Sequence, residues 1–121
     1  MSKTIMTIDD SPSVRQMVRM TLSAAGYRVI EATDGRDALE KLRSARPDAI
    51  LTDQNMPGMD GLTFIKTFRA GGGAAGIPIV FVSTETDGTL RAEAKAAGAM
   101  GWMVKPFDQT QLLTVVRKVA G

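Results

Sequence analysis

The chain has 121 residues, 44% of them apolar and 23% charged, with a formal net charge of +2; these values describe one globular domain (1–121) with a real core and no room for a second module. Cysteine and histidine are both absent, which excludes disulfides, thiolate metal sites, thiol nucleophiles, the commonest general base and zinc ligand, and any role as a phosphohistidine carrier. Lys and Arg are scattered instead of gathered into a block, which argues against nucleic acid as a partner. No apolar run approaches the roughly 18 residues of a membrane span, and MSKTIMTIDD has no signal-peptide core. A cytoplasmic protein without a membrane partner is the default expectation.

Along the chain, five short apolar runs alternate with helical spacings. TIMTI, at Thr4–Ile8, predicts the first strand. Ser11-Pro12 then supplies a hydroxyl N-cap and a proline at the first helical position. Val14, Met17, Val18 and Leu22 follow on one helical face, and Gly26 stands where that helix should end in a left-handed residue. YRVIEA (27–32) is the most polar run and suits an edge strand. Ala38, Leu39 and Leu42 mark a second helix, residues 48–52 a third strand, and Leu62, Ile65 and Phe68 a third helix. The run at 77–82 contains IVFV, which, like AIL before it, is continuously apolar, as a strand covered on both faces should be.

Leu90, Ala94 and Ala97 give a fourth helix whose inner face is mostly alanine. Alanine buries little area, so this helix should be the most weakly anchored. Gly98 closes it, 100–104 forms the fifth strand, and Asp108 with Gln111 resembles a capping box opening a last helix on Leu112, Val115, Val116 and Val119. The alternation predicts an α/β fold: a (βα)5 doubly wound parallel five-stranded sheet with right-handed crossovers. RAGGGAAG (69–76) contains Gly71-x-Gly73-x-x-Gly76, a literal dinucleotide fingerprint. It follows a helix and precedes a strand, the reverse of the required context, and reads as a surface loop.

Functional residues collect at strand ends. Asp9-Asp10 follow the first run, Asp53 the third, Ser83-Thr84 the fourth and Lys105 the fifth. In a doubly wound sheet ligands bind outside the carboxyl ends of the strands, so these groups converge on one crevice. Singly, each has an ordinary reading as a cap, a turn residue or a solvated lysine. Together, three carboxylates and an ammonium in one crevice are costly unless a divalent ion joins them. Magnesium takes oxygen ligands from one or two carboxylates and keeps several waters. Phosphoryl transfer needs mainly positioning and charge neutralisation. The constellation points to a Mg2+-dependent carboxylate that accepts a phosphoryl group.

The IDD pair, the TDQNMPGMDG block (52–61), the ST pair and VKPF (104–107) occur in an order that resembles the receiver domains of two-component response regulators, end to end. Among these the chain is most similar to the stand-alone, CheY-like chemotaxis regulators. The resemblance implies a flavodoxin-like fold with strand order 2-1-3-4-5. It implies Asp53 as phosphoacceptor, Asp10 and Asp53 as direct Mg2+ ligands, Asp9 acting through water, and the backbone carbonyl of Asn55 as a third protein ligand. Ser83 and Lys105 would each bind a phosphoryl oxygen. Pro106 would set a cis peptide, Met56-Pro57-Gly58 would shape the loop beyond the acceptor, and Gly61 would allow close approach at the next helix.

The same resemblance implies a switch on the α4–β5–α5 face, carried by Trp102 with Thr84 and Glu85. Trp102 stands where the family more usually has tyrosine or phenylalanine, and the bulkier indole departs from that pattern; a partly buried tryptophan packing the sheet edge is the plain alternative. Asn55 and Glu85 would flank the attacking water and give a short-lived acyl phosphate. The implied partners are a histidine kinase (CheA-like), the flagellar motor switch or another output protein, and a phosphatase, with the chain itself a monomer. Within the same fold a phosphate sink or phosphorelay shuttle is the alternative. From other classes, a small Mg2+-dependent phosphohydrolase would need a substrate-binding insertion, and an FMN carrier would have to tolerate an acidic pocket.

Overall fold

The structure, a computed structural model, describes residues 2–71, 76–84 and 88–121. Five strands and five helices alternate: β1 (Thr4–Ile8), α1 (Pro12–Ala24), β2 (Arg28–Ala32), α2 (Gly35–Lys41), β3 (Ala49–Asp53), α3 (Gly61–Ala70), β4 (Ile79–Ser83), α4 (Gly88–Ala97), β5 (Gly101–Val104) and α5 (Gln109–Ala120). All strand pairs are parallel and the order is β2-β1-β3-β4-β5. The expected fold class and strand order are both present. The relatively polar run is the edge strand β2, whereas β3 and β4 are buried along their whole length.

Strand alternation sorts the core into two layers, because successive side chains point to opposite faces. Met6, Ile8, Ile50, Ile79 and Phe81 pack on one face with Ala38, Phe64, Ile65 and Ala94 from α2, α3 and α4. Ile5, Ala49, Leu51, Val80, Val82 and Met103 pack on the other with Val18, Leu22, Leu112 and Val116 from α1 and α5. Local chemistry sets the helix ends. Ser11 caps α1 with proline following, Asp34 caps α2, Asp60 caps α3, and Asp108 with Gln111 forms a complete capping box on α5. Gly26 and Gly98 adopt the positive φ expected after α1 and α4 (95° and 119°).

The boundaries differ from the apolar runs by one or two residues. β3 extends through Asp53, and β4 begins at Ile79, after Pro78, which has no N–H to donate to a ladder. Arg69 is a feature that apolar periodicity does not reveal. From the end of α3 its guanidinium donates to the carbonyls of Ile77 (2.7 Å) and Gly98 (3.0 Å), tying the C-terminal end of α4 to the sheet's lower edge.

α4 itself buries only Ala94. A fully buried Phe or Ile contributes about 1.5–3 kcal/mol, and a methyl group about 0.8 kcal/mol. On that scale α4 is held far less firmly than α3, which buries Phe64 and Ile65. Native-state hydrogen exchange should therefore find α4 amides at least about tenfold less protected than those of α3. Equal protection in the two helices would contradict this reading of the packing.

Candidate functional site

Register brings the acidic groups together. Ile8 pairs with Thr52 across β1 and β3, so Asp9 and Asp53 are the next residues on neighbouring strands, which lie roughly 4.8 Å apart. Both share the pleat parity of Ile5, Ala49 and Leu51 and stand on the α1–α5 side of the sheet. Met103 lies on that side too, and two residues later Lys105 returns to it. The lysine Nζ contacts Asp9 Oδ2 at 2.7 Å and Asp53 Oδ2 at 3.3 Å. The Asp9 and Asp53 side chains are only 5% exposed, so water does little to separate their charges, and the ammonium does most of it.

The remaining contacts divide the roles of the carboxylates. Asp9 Oδ1 accepts from the Ser11 N–H (2.9 Å) and Oδ2 from Lys105, so both its oxygens are engaged. Asp10 is exposed at the lip of the crevice. Oxygens of Asp9, Asp10 and Asp53 lie within 4.8 Å of one another. Opposite ligands of an octahedral Mg2+ are about 4.2 Å apart, given Mg–O distances near 2.1 Å. Three carboxylates gathered this closely could hold one hard divalent cation, which takes oxygen ligands.

Burial raises the Asp53 pKa above the ordinary carboxylate value, and the charge of Asp9 adds to it; Lys105 only partly offsets the two. Burial alone would lower the Lys105 pKa, but the hydrogen bond and charge of Asp9, followed by those of Asp53, outweigh it and raise it.

Gly61 opens α3 against Asp53. A Cβ there would sit 2.3 Å from the Asp53 carbonyl oxygen, so the close approach expected of this glycine is present. Gln54 locks the same corner, and sequence reading missed it because a single glutamine carries no pattern. Its amide donates to Asp60 Oδ2 (3.2 Å), its side-chain oxygen accepts from the Leu62 N–H (2.9 Å), and its backbone carbonyl accepts from the Gly61 N–H (3.0 Å). Asn55 and Pro57 are exposed on the loop this clamp closes. The Lys105–Pro106 peptide is cis.

Ser83 ends β4 and is buried, with the pleat parity of Phe81 and not that of Val82. It therefore belongs to the α4 side of the sheet, as does Trp102, which pairs with Phe81. The indole packs on Phe81 (centroids 5.2 Å apart) beneath the Arg91 guanidinium (5.8 Å). Thr84 is exposed and shares a shallow cleft with Lys105 and Phe107. Glu85, like Gly73 of the glycine-rich loop, lies outside the described residues.

Residues 5–117 match the response regulator receiver domain family. The chain belongs to that family. This receiver domain is 33% identical over 117 residues to the DNA-binding response regulator MtrA of Mycolicibacterium smegmatis, covering 97% of this chain and 50% of MtrA. It is 38% identical to the response regulator MprA of Mycobacterium ulcerans over the same shares of each chain. The chain thus spans about half the length of these curated relatives. Among solved structures, it is similar to the Vibrio cholerae chemotaxis protein CheY4, with a TM-score of 0.94, 44% identity, and coverage of 98% of this chain and 99% of that one. A receiver domain is a signalling module and not an enzyme in the ordinary sense. Among the described residues, no helix is long and apolar enough to cross a membrane.

Two stability tests follow from the geometry. Gly61→Ala must displace the Asp53 carbonyl, and is expected to cost about 1–3 kcal/mol in urea unfolding; an unchanged midpoint would show that the backbone yields freely there. The second concerns charge. A carboxyl whose folded pKa is raised lowers stability once ionised, and that loss is relieved as pH falls through the raised value towards the ordinary one of 3.8. In metal-free buffer, Asp53→Asn should raise the urea midpoint at pH 7 by roughly 0.3 M. The gain should shrink as pH falls towards 4, whereas a pH-independent gain would rule out this electrostatic origin.

Proposed function

We propose that this receiver domain is a phosphorylation switch of a chemotaxis-type two-component pathway, with Asp53 as the phosphoacceptor. The carrying observation is the bridge of Lys105 to both Asp9 and Asp53. It puts a cation beside the proposed nucleophile, where a phosphoryl oxygen would need it. Asp53 Oδ attacks the phosphorus of a kinase phosphohistidine, forming a P–O bond as the P–N bond breaks. The electron pair leaves with the imidazole nitrogen, which takes up a proton.

As the acyl phosphate forms, Lys105 turns from the carboxylate to a phosphoryl oxygen and Ser83 donates to another. Asp10, Asp53 and the Asn55 carbonyl would hold Mg2+, with Asp9 contributing through water, since both its oxygens are already engaged. The bound ion would neutralise charge on the phosphoryl group. Asn55 would flank the water that later hydrolyses the acyl phosphate. Pro57, Gly61 and Pro106 shape the loops that hold these groups in place.

On the output side, Ser83, Thr84 and Trp102 couple the phosphate to the α4–β5–α5 face. Exposed Met100 and Val104 (66% and 38%) and the cations Arg91 and Lys95 make that face fit for a protein partner. The likeness to CheY4 supports the flagellar motor switch as that partner and a CheA-like histidine kinase as donor, in the cytoplasm, with this chain acting as a monomer and a phosphatase resetting it. The curated relatives, twice as long, support a second reading in which the receiver governs an attached or separate output module.

Phosphotransfer profiling against histidine kinases tests the assignment. The wild-type chain should take label only with Mg2+ present, and Asp53→Asn should lower uptake by about 100-fold or more. Label retained on Asp53→Asn would refute it.

A further inference from the structure

Arg15 lies on the first turns of α1 with a side chain only 15% exposed, and nothing in the proposed chemistry uses it. Its Nη1 donates to the backbone carbonyl of Asp9 (2.5 Å), while its Nε faces Glu31 Oε1 on β2 at 3.5 Å. Glu31 is held in turn by Arg19 Nη1 at 2.9 Å. The Asp9 carbonyl is part of the rigid peptide plane that joins Asp9 to Asp10. Fixing that plane fixes the direction in which the Asp10 backbone, and so its carboxylate, leaves β1. Asp9 is already secured by its N–H to the Ala32 carbonyl, by Ser11 and by Lys105. Among the described residues, exposed Asp10 has no such set of holds, and its direction follows the plane before it.

We propose that Arg15, braced by Glu31, is a positioning residue that sets the Asp9–Asp10 peptide plane and thereby aims Asp10 into the cation site. The fork of a guanidinium suits this task, since one planar group reaches a carbonyl and a carboxylate at once. The proposal rests on the Mg2+ reading of the acidic crevice, and residues that orient metal ligands typically change affinity by about 10–100-fold when removed.

Calorimetric Mg2+ titration of the unphosphorylated chain, paired with the Asp10 amide resonance in metal-free buffer, tests it. Arg15→Ala should weaken Mg2+ binding about tenfold and shift the Asp10 amide signal. Glu31→Gln should give a smaller loss of about threefold, and the double variant should match Arg15→Ala within about twofold, because both act through one contact. Arg19→Ala removes an equal charge from the same side without touching Asp9, and should leave affinity within about twofold of wild type. If Arg15→Ala fails to fold, Arg15→Lys keeps the charge but not the fork and should still weaken binding. Unchanged affinity in the Arg15 variants, or equal losses in Arg15→Ala and Arg19→Ala, would overturn the proposal. A wild-type chain that binds no Mg2+ would instead overturn the metal reading; the Asp10 resonance would then decide the positioning claim, which an unshifted signal in Arg15→Ala would end.

Discussion

Lys105 reaches from the end of β5 to two carboxylates that are almost entirely out of water, and the rest of the site is arranged around that contact. Two buried like charges on adjacent strands repel, and the charge of Asp9 raises the cost of ionising Asp53. The ammonium offsets that cost without removing it, which leaves Asp53 more basic than an ordinary aspartate. Breaking a buried pair by deleting one partner leaves an uncompensated charge. The constraint therefore reaches outward to the register of β1 against β3, to Gly61 beside the Asp53 carbonyl, and to the Gln54 clamp that closes the loop between them.

The sheet also separates the carboxylates from the face proposed to carry the readout. Asp9, Asp53 and Lys105 share the α1–α5 side, whereas Ser83 and Trp102 share the parity of Phe81 and face α4. In the proposed switch, a signal passing from the carboxylates to the exposed face beyond α4 would cross β4, and Ser83 ends that strand. α4 would suit the receiving end. It buries one alanine, is pinned at its C-terminal end by Arg69, and carries Arg91 over the indole. An element so lightly packed moves at small cost, and in the proposed switch Trp102 would report the movement.

Much of this was legible before any coordinates. The apolar runs located every strand to within one or two residues, because burial on both faces of a parallel sheet demands continuous apolar stretches. Ser11, Asp108 and Gln111 announced helix starts through chemistry that acts over three or four residues. Arg15, Gln54 and Arg69 were not legible. Each is a single polar residue in helical or loop sequence, and its partners include backbone groups of Asp9, Leu62, Ile77 and Gly98. Backbone acceptors and donors occur at nearly every position, so sequence offers nothing to mark which one a side chain will find.

Sequence by itself determined the inventory of charges and the ends of the strands they occupy, since both follow from local composition and a repeat of two. Tertiary structure alone decided which oxygens face one another, that Lys105 bridges Asp9 and Asp53, that Asp9 is fully engaged while Asp10 stays exposed, and that Trp102 lies across the sheet from the carboxylates. Those outcomes depend on strand register and order, which join residues 44 to 96 positions apart and are set only when the two core layers close on the sheet together.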